Sequence, residues 1–278
     1  MFLIGWARPS IGQWMKSVGT TPYLVAFAFF MNGFALSTES LLGSLKKWRV
    51  LCVSLPITFV ISPAIVFAAR AIIPGGDSLI AHGFQIVSLL PTLFVSAVLI
   101  TRMAKGNAAV ALYLTIASNL LAIVVTPMLI KLTLPGSSTQ LDLASTTVSM
   151  IFTVLIPTIL GQLARKKWEV WAGSHARLIT VISQCTILIF IITGVSALPR
   201  SVLTPSVVST AVVGGIILHA ALIGVSRIGG MVVRADERTK RALTFCCAQK
   251  SFVFNVLLCE HTFGGNSKAF GLAILPGI

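Results

Sequence analysis

An all-α polytopic membrane protein built from two inverted five-helix repeats is the fold this sequence predicts, and three observations predict it. Composition is the first: 56% of the 278 residues are hydrophobic, 10% are charged and the mean hydropathy is +0.95. A soluble domain of that size has too few polar groups to cover so much apolar surface, and long apolar runs recur down the whole chain. The second is an ungapped internal repeat. Residues 90–116 (LPTLFVSAVLITRMAKGNAAVALYLTI) fall on residues 249–275 (QKSFVFNVLLCEHTFGGNSKAFGLAIL), an offset of 249 − 90 = 159. Thr92 then meets Ser251, Ser96 meets Asn255, Gly106 meets Gly265 and Asn107 meets Asn266. The third is the placement of the basic residues, which orients the spans.

The apolar runs predict spans at 22–37, 48–72, 79–103, 106–132, 144–164, 176–197, 205–227, 239–259 and 265–278. Several end at Pro, Gly or charge, as helix termini tend to. Span 79–103 is interrupted at Pro91, whose ring removes a backbone donor and clashes with the preceding turn. The offset carries 22–37 to 181–196, inside 176–197, and carries 48–72 to 207–231, over 205–227. Run backwards, 144–164 becomes −15 to 5, almost wholly ahead of Met1; run forwards, 106–132 becomes 265–291, past Ile278. The expected unit is five plus five helices: a first repeat over 1–137 and a second over 138–278, in one integral membrane domain. On that expectation helix 1 is mostly missing and helix 10 is truncated, as in a fragment.

With span 22–37 running outside to inside, the inner loops hold fourteen basic residues: Lys46, Lys47, Arg49, Arg102, Lys105, Arg165, Lys166, Lys167, Arg177, Arg227, Arg234, Arg238, Lys240 and Arg241. The outer side holds six: Arg8, Lys16, Arg70, Lys131, Arg200 and Lys268. That excess obeys the positive-inside rule, and an odd number of helices per half inverts one half against the other. The net charge of +14 therefore reads as loops facing anionic lipid, not as a nucleic-acid surface. No nucleic-acid partner is expected. The five cysteines (Cys52, Cys185, Cys246, Cys247, Cys259) lack metal-ligand spacing and read as small buried hydrophobes. The N-terminal MFLIGWARPS lacks the layout of a signal peptide.

In inverted-repeat transporters each half supplies one discontinuous helix, and the two breaks approach near the bilayer midplane. Pro91 and Thr92 mark one break; the repeat places the other at Gln249, Lys250 and Ser251, where no Pro or Gly signals it. Lys250 is the one charged residue placed deep inside a span. Either it snorkels or is tied to backbone carbonyls, or it binds an anionic substrate, or its ammonium stands in for a cation. All seven carboxylates (Glu39, Asp77, Asp142, Glu169, Asp236, Glu237, Glu260) fall at span ends or in loops, so any cation site must use hydroxyl, amide and carbonyl oxygens. Asn107 and Asn266 each follow a glycine (Gly106, Gly265) at a helix start and read as caps. Asn119 and Gln184 read as interhelical hydrogen bonds, and His82 and His219 as satisfied core histidines. There is no Ser-His-Asp order, Gly-rich phosphate loop or HExxH, so no enzyme and no catalytic or metal residues are expected.

Four stretches, FFMNGFALSTESL (29–41), LLPTLFVSAVLITRMAKGN (89–107), IPTILGQLARK (156–166) and FCCAQKSFVF (245–254), together resemble the bile acid:sodium symporter superfamily. Within it they are most similar to the SBF-like branch that contains sodium/bile acid cotransporter 7. The resemblance implies a ten-helix fold with crossed discontinuous helices 4 and 9, here 79–103 and 239–259. It also implies Na+ as a coupling ion, through a pattern this chain keeps only in part. Ser96, Thr115 and Gln249 match; Ala97 and Phe245 stand for an Asn and a carboxylate, Ala111 for a Ser, and Lys250 for an Asn. The cotransporter 7 branch carries the Lys and is associated with cellular calcium regulation.

The function expected is secondary transport of an organic, anionic solute by alternating access, with Pro91, Thr92, Ser96, Thr115, Gln249, Lys250, Ser251 and Asn255 lining a midplane site. A non-transporting regulator of calcium homeostasis and an inactive truncated product are the alternatives. A plasma membrane or a bacterial inner membrane is expected, with a Golgi location open.

Overall fold

The computed structural model describes residues 21–35, 47–72, 79–134, 142–196, 204–263 and 272–277. Gly265, Asn266 and most of the span expected at 265–278 lie outside the described residues.

The first described helix is α1 (Thr21–Ala35). A long helix follows as α2 (Trp48–Pro56), a π turn (Ile57–Ile61) and α3 (Ser62–Ile72). Next come α4 (Leu79–Ser88) and α5 (Phe94–Met103), separated by a break, and α6 (Ala108–Thr133). A second π-interrupted helix runs through α7 (Leu143–Met150), Ile151–Leu155 and α8 (Ile156–Lys167). It is followed by the short α9 (Glu169–Ser174), α10 (Ala176–Ser196) and α11 (Pro205–Val232). Then α12 (Glu237–Ala248) and α13 (Phe252–Phe263) flank a second break, and a 3₁₀ turn covers Leu275–Gly277. Among the described residues, four stretches are long and apolar enough to cross a membrane: Trp48–Arg70, Ala108–Thr133, Ala144–Lys167 and Pro205–Val232. Their outward faces are apolar as well, with Val60 and Phe67, Ile159 and Leu163, and Val213 and Ile217 exposed. Only lipid makes such faces stable, so the protein is integral to a membrane. Cys52 and Cys185 lie on exposed faces rather than in the core, whereas Cys246, Cys247 and Cys259 are buried.

Helix starts follow their side chains. Asn107 accepts from the Val110 N–H at 3.1 Å, as a cap should, and Thr204 and Asp236 cap α11 and α12 in the same way. Both π turns have one cause. The Ser62 N–H reaches back to the Ile57 carbonyl, and the next residue is Pro63, which has no N–H. The Ile156 N–H reaches back to Ile151, and Pro157 follows. In each helix, one carbonyl just after the π bond is left without a helical donor.

The α5–α6 and α11–α12 connections are matching turns. Lys105 (φ 56°) and Arg234 (φ 51°) take the left-handed conformation, and Gly106 N–H and Ala235 N–H close back on the Thr101 and Gly230 carbonyls. The turns sit side by side: Asn107 N–H donates to the Arg238 carbonyl at 2.8 Å, and Arg241 donates to the Ala104 carbonyl at 2.9 Å. Lys47, ahead of α2, ties in through Asp236 (3.0 Å) and Thr239 (2.8 Å). The Thr239 hydroxyl first, then the Lys47 ammonium, hold the Asp236 carboxyl down to about 2. A depressed carboxyl stabilises above its unfolded value of 3.8, and the gain is lost as pH falls through about 2. Asp236→Ala is therefore expected to cost about 1 kcal/mol at neutral pH, mostly the cap, because the ion pair is half exposed. Thermal midpoints of the two proteins should converge as pH drops from about 4 to about 2.

Candidate functional site

The two helix breaks meet. Thr92 and Lys250 form an antiparallel bridge: Ser251 N–H donates to the Pro91 carbonyl at 2.9 Å, and Leu93 N–H donates to the Gln249 carbonyl at 3.1 Å. Antiparallel pairing over so few residues gives each unwound segment the backbone partners its own helix no longer supplies.

On the first segment every carbonyl from Ser88 to Thr92 has a partner. Ser88 O accepts from Ser62 Oγ (2.9 Å) and Lys250 Nζ (3.1 Å), and Leu89 O accepts from Thr126 Oγ1 at 3.0 Å. Leu90 O accepts from Lys250 Nζ at 3.2 Å, Pro91 O from Ser251 N–H, and Thr92 O from Asn119 Nδ2 at 3.0 Å. On the second segment, Cys246 O accepts from Thr92 Oγ1 at 2.7 Å and Ala248 O from His219 Nδ1 at 3.1 Å. A carbonyl can only accept, so His219 carries its proton on Nδ1.

Lys250 Nζ also donates to the Thr58 carbonyl at 3.2 Å. That carbonyl is the one freed by Pro63 at the first π turn. Three carbonyl partners take all three protons of an ammonium, so the ammonium form fits this seat and the neutral amine, with two protons, does not fill it.

Of the residues expected to line a site, Pro91, Thr92, Gln249, Lys250 and Ser251 are brought together directly. Thr115 is one layer behind, its Oγ1 3.8 Å from Cys246 Sγ. Ser96 and Asn255 are not brought in: Gln184 Nε2 of α10 donates to Ser96 Oγ at 3.4 Å, and Asn255 Nδ2 donates to Ile274 O at 3.3 Å. The Gly106–Asn107 motif builds the turn and cap at the far end of α5. Asn119 and Gln184 do make interhelical hydrogen bonds, Asn119 at the crossing itself. Asn119→Leu leaves the buried Thr92 carbonyl without a donor, and a loss of about 1–3 kcal/mol in thermal or denaturant unfolding is the expected result.

A cavity of about 850 Å³ opens against the crossing. One wall is α11, through Ala211, Gly215 and Leu222; His219, Gln249 and Lys250 bring its polar groups. The Gln249 Oε1 atom is buried and has no hydrogen-bond partner. Thr58 escaped the sequence reading, though Pro63 five residues on made it detectable. His219, read as a satisfied core histidine, is satisfied by the Ala248 carbonyl but lies on the cavity wall rather than in the core.

The sodium pattern implied by the resemblance does not fit these residues. The Ser96 hydroxyl accepts from Gln184, Thr115 Oγ1 faces a thiol, and Ala97, Ala111 and Phe245 offer no side-chain ligand, so of the matching side chains only Gln249, next to the Lys250 ammonium, keeps an unpartnered oxygen. Among the described residues, no group of three or more His, Cys, Asp or Glu side chains is placed to hold a metal.

Comparison with known proteins gives the chain its context. It is 24% identical over 274 residues to "Uncharacterized protein PA2026" of Pseudomonas aeruginosa, covering 95% of this chain and 79% of that one. It is 26% identical over 287 residues to "Probable sodium/metabolite cotransporter BASS4, chloroplastic" of Arabidopsis thaliana, covering 98% of this chain and 65% of that one. It is 32% identical over 183 residues to sodium/bile acid cotransporter 7 of Xenopus tropicalis, covering 64% of this chain and 53% of that one. The chain thus spans between about half and four-fifths of the length of these relatives. The model of the SBF-like CPA transporter family matches residues 1–278, and with the two joined helix breaks already seen, the chain belongs to this family of membrane transporters, not of enzymes.

Proposed function

We propose that this protein is a secondary transporter that moves an organic solute across the membrane by alternating access, with the joined breaks and their cavity as its site. The observation that carries this reading is the antiparallel bridge between two interrupted helices, which lies against a cavity large enough for a small organic molecule. Unwound backbone at membrane depth is tolerated where it lines a cavity, so a fold that keeps two such segments keeps them for what enters. The ungapped repeat and the opposite running of the paired segments support two inverted halves over 1–137 and 138–278.

The walls call for a solute apolar over most of its surface. The ammonium of Lys250 favours an anionic group nearby, while the unpartnered Gln249 oxygen is an acceptor left for a hydroxyl or N–H of the solute. The relatives named for sodium/metabolite and sodium/bile acid cotransport agree with that solute class. The basic loops fit a plasma or bacterial inner membrane.

Side-specific labelling tests the reading without knowing the solute. Nothing lies within 4 Å of a Cβ built on Gly215, so Gly215→Cys places a thiol in open space at the cavity. In a background with Cys52 and Cys185 replaced by Ala, a membrane-impermeant maleimide should modify that thiol from either face of sealed vesicles. Modification from one face only would leave a fixed scaffold, as the rival regulator reading requires.

A further inference from the structure

We propose that the three carbonyls holding Lys250 form a seat for a monovalent cation, that the Lys250 ammonium fills it permanently, and that shortening this side chain opens it to free alkali or ammonium ions. The inference deepens the transporter reading, on which its consequence for coupling rests; the seat itself rests on geometry alone.

The seat is built independently of the side chain that fills it. Thr58 O has lost its helical donors, because the Ser62 N–H is committed to Ile57 O and Pro63 has none. Ser88 O cannot be reached by the residue at i+3, which is Pro91, and the Thr92 N–H at i+4 turns to Ser118 Oγ at 3.4 Å. Leu90 O loses its i+3 donor because the Leu93 N–H goes to Gln249 O. The three oxygens lie 3.2, 3.1 and 3.2 Å from one point, the Nζ atom. Two of them close the C-terminal end of α4, where the helix dipole is negative. Converging carbonyls of this kind replace the water shell of a small cation. The partners the structure gives Nζ are carbonyls, so the positive charge is balanced by dipoles, as a bound ion's would be. A cation fixed to the chain cannot dissociate, and solute movement by the native protein then needs no alkali-ion gradient.

The test is thermal unfolding of the full chain in sodium, potassium or ammonium chloride against N-methyl-D-glucamine chloride at equal ionic strength. Native protein should show the same midpoint in all four salts. Lys250→Ala should rise by roughly 5–10 °C when a small cation is present at about a hundred times its dissociation constant. Lys250→Met, whose side chain refills the space, should not respond. A Lys250→Ala midpoint indifferent to the cation overturns the seat, and so does a native protein that responds as strongly as the variant. Folded Lys250→Ala obtained only in small-cation salts supports it. Failure to fold in every salt counts against it once repeated with Lys250→Ser, because a filled seat should hold both variants together. Midpoints report the seat and Gly215→Cys labelling reports the access change, so either reading can fail alone.

Discussion

Lys250→Met is expected to be among the most destabilising single substitutions at the crossing. Methionine keeps the length and volume but brings no donor, so Thr58 O and Leu90 O lose the partner the structure gives them, while Ser88 O retains Ser62. Each orphaned buried carbonyl costs about 1–3 kcal/mol, offset in part because the variant no longer buries a charge. The net loss should be about 2–4 kcal/mol, read as a lowered unfolding midpoint in any salt. Unchanged stability would mean that desolvation of the ammonium already cancels its three bonds, and that its place at the crossing is kept for function alone.

The second large effect lies away from the site, where α1 crosses α8. An added Cβ on Gly33 would overlap the Thr158 carbonyl oxygen, and one on Gly161 would overlap the Phe30 carbonyl oxygen and lie 2.8 Å from Phe34 N. Both overlaps are with backbone, which cannot swing aside. Gln162 and Arg165 then bond the Gly33 and Phe34 carbonyls across the same contact. Without a hydrophobic drive between helices in lipid, such close approach of small residues is what makes the pair pack. Alanine is the better helix former by about 1 kcal/mol, so propensity alone makes Gly161→Ala stabilising. The expected outcome is the reverse: a loss of about 2 kcal/mol or more, with Gly33→Ala adding less than its own cost once the helices have parted. A midpoint at or above the native one would show that the helices are free to separate.

How much of this was legible depended on where each constraint comes from. The helices between 22 and 259 were legible because lipid imposes apolarity on the residues themselves, and four of them are long enough to cross it among the described residues. Pro91 announced its own break. The break at Gln249–Ser251 was legible only through the repeat, because nothing local forces it; the donor at Leu93 and the acceptor at Pro91 do. The three-carbonyl seat was not legible as a seat, since carbonyls are common to all residues and what matters is which of them the helices leave free. Ser96 and Asn255 show the converse limit. The repeat pairs them, yet their bonds run to Gln184 and Ile274, because a repeat in sequence proposes equivalent positions on two helices and not which neighbour each one meets.

The bridge also constrains how the protein is made. The carbonyls of Leu90 and Pro91 enter the membrane early, yet the donor of Leu90, Lys250 Nζ, lies 160 residues beyond it, and that of Pro91 is the N–H of the next residue, Ser251. During synthesis, α4 and α5 must therefore wait in the bilayer with an open backbone gap until α12 and α13 emerge. Over that interval Ser62, Thr126 and Asn119 can serve Ser88, Leu89 and Thr92, but Leu90 and Pro91 are left to water or the insertion machinery, since hydrocarbon offers no hydrogen bond. Assembly of the crossing is thus a late, all-at-once event in biogenesis, and chains that stall before Lys250 carry an unfinished membrane helix that quality control can recognise.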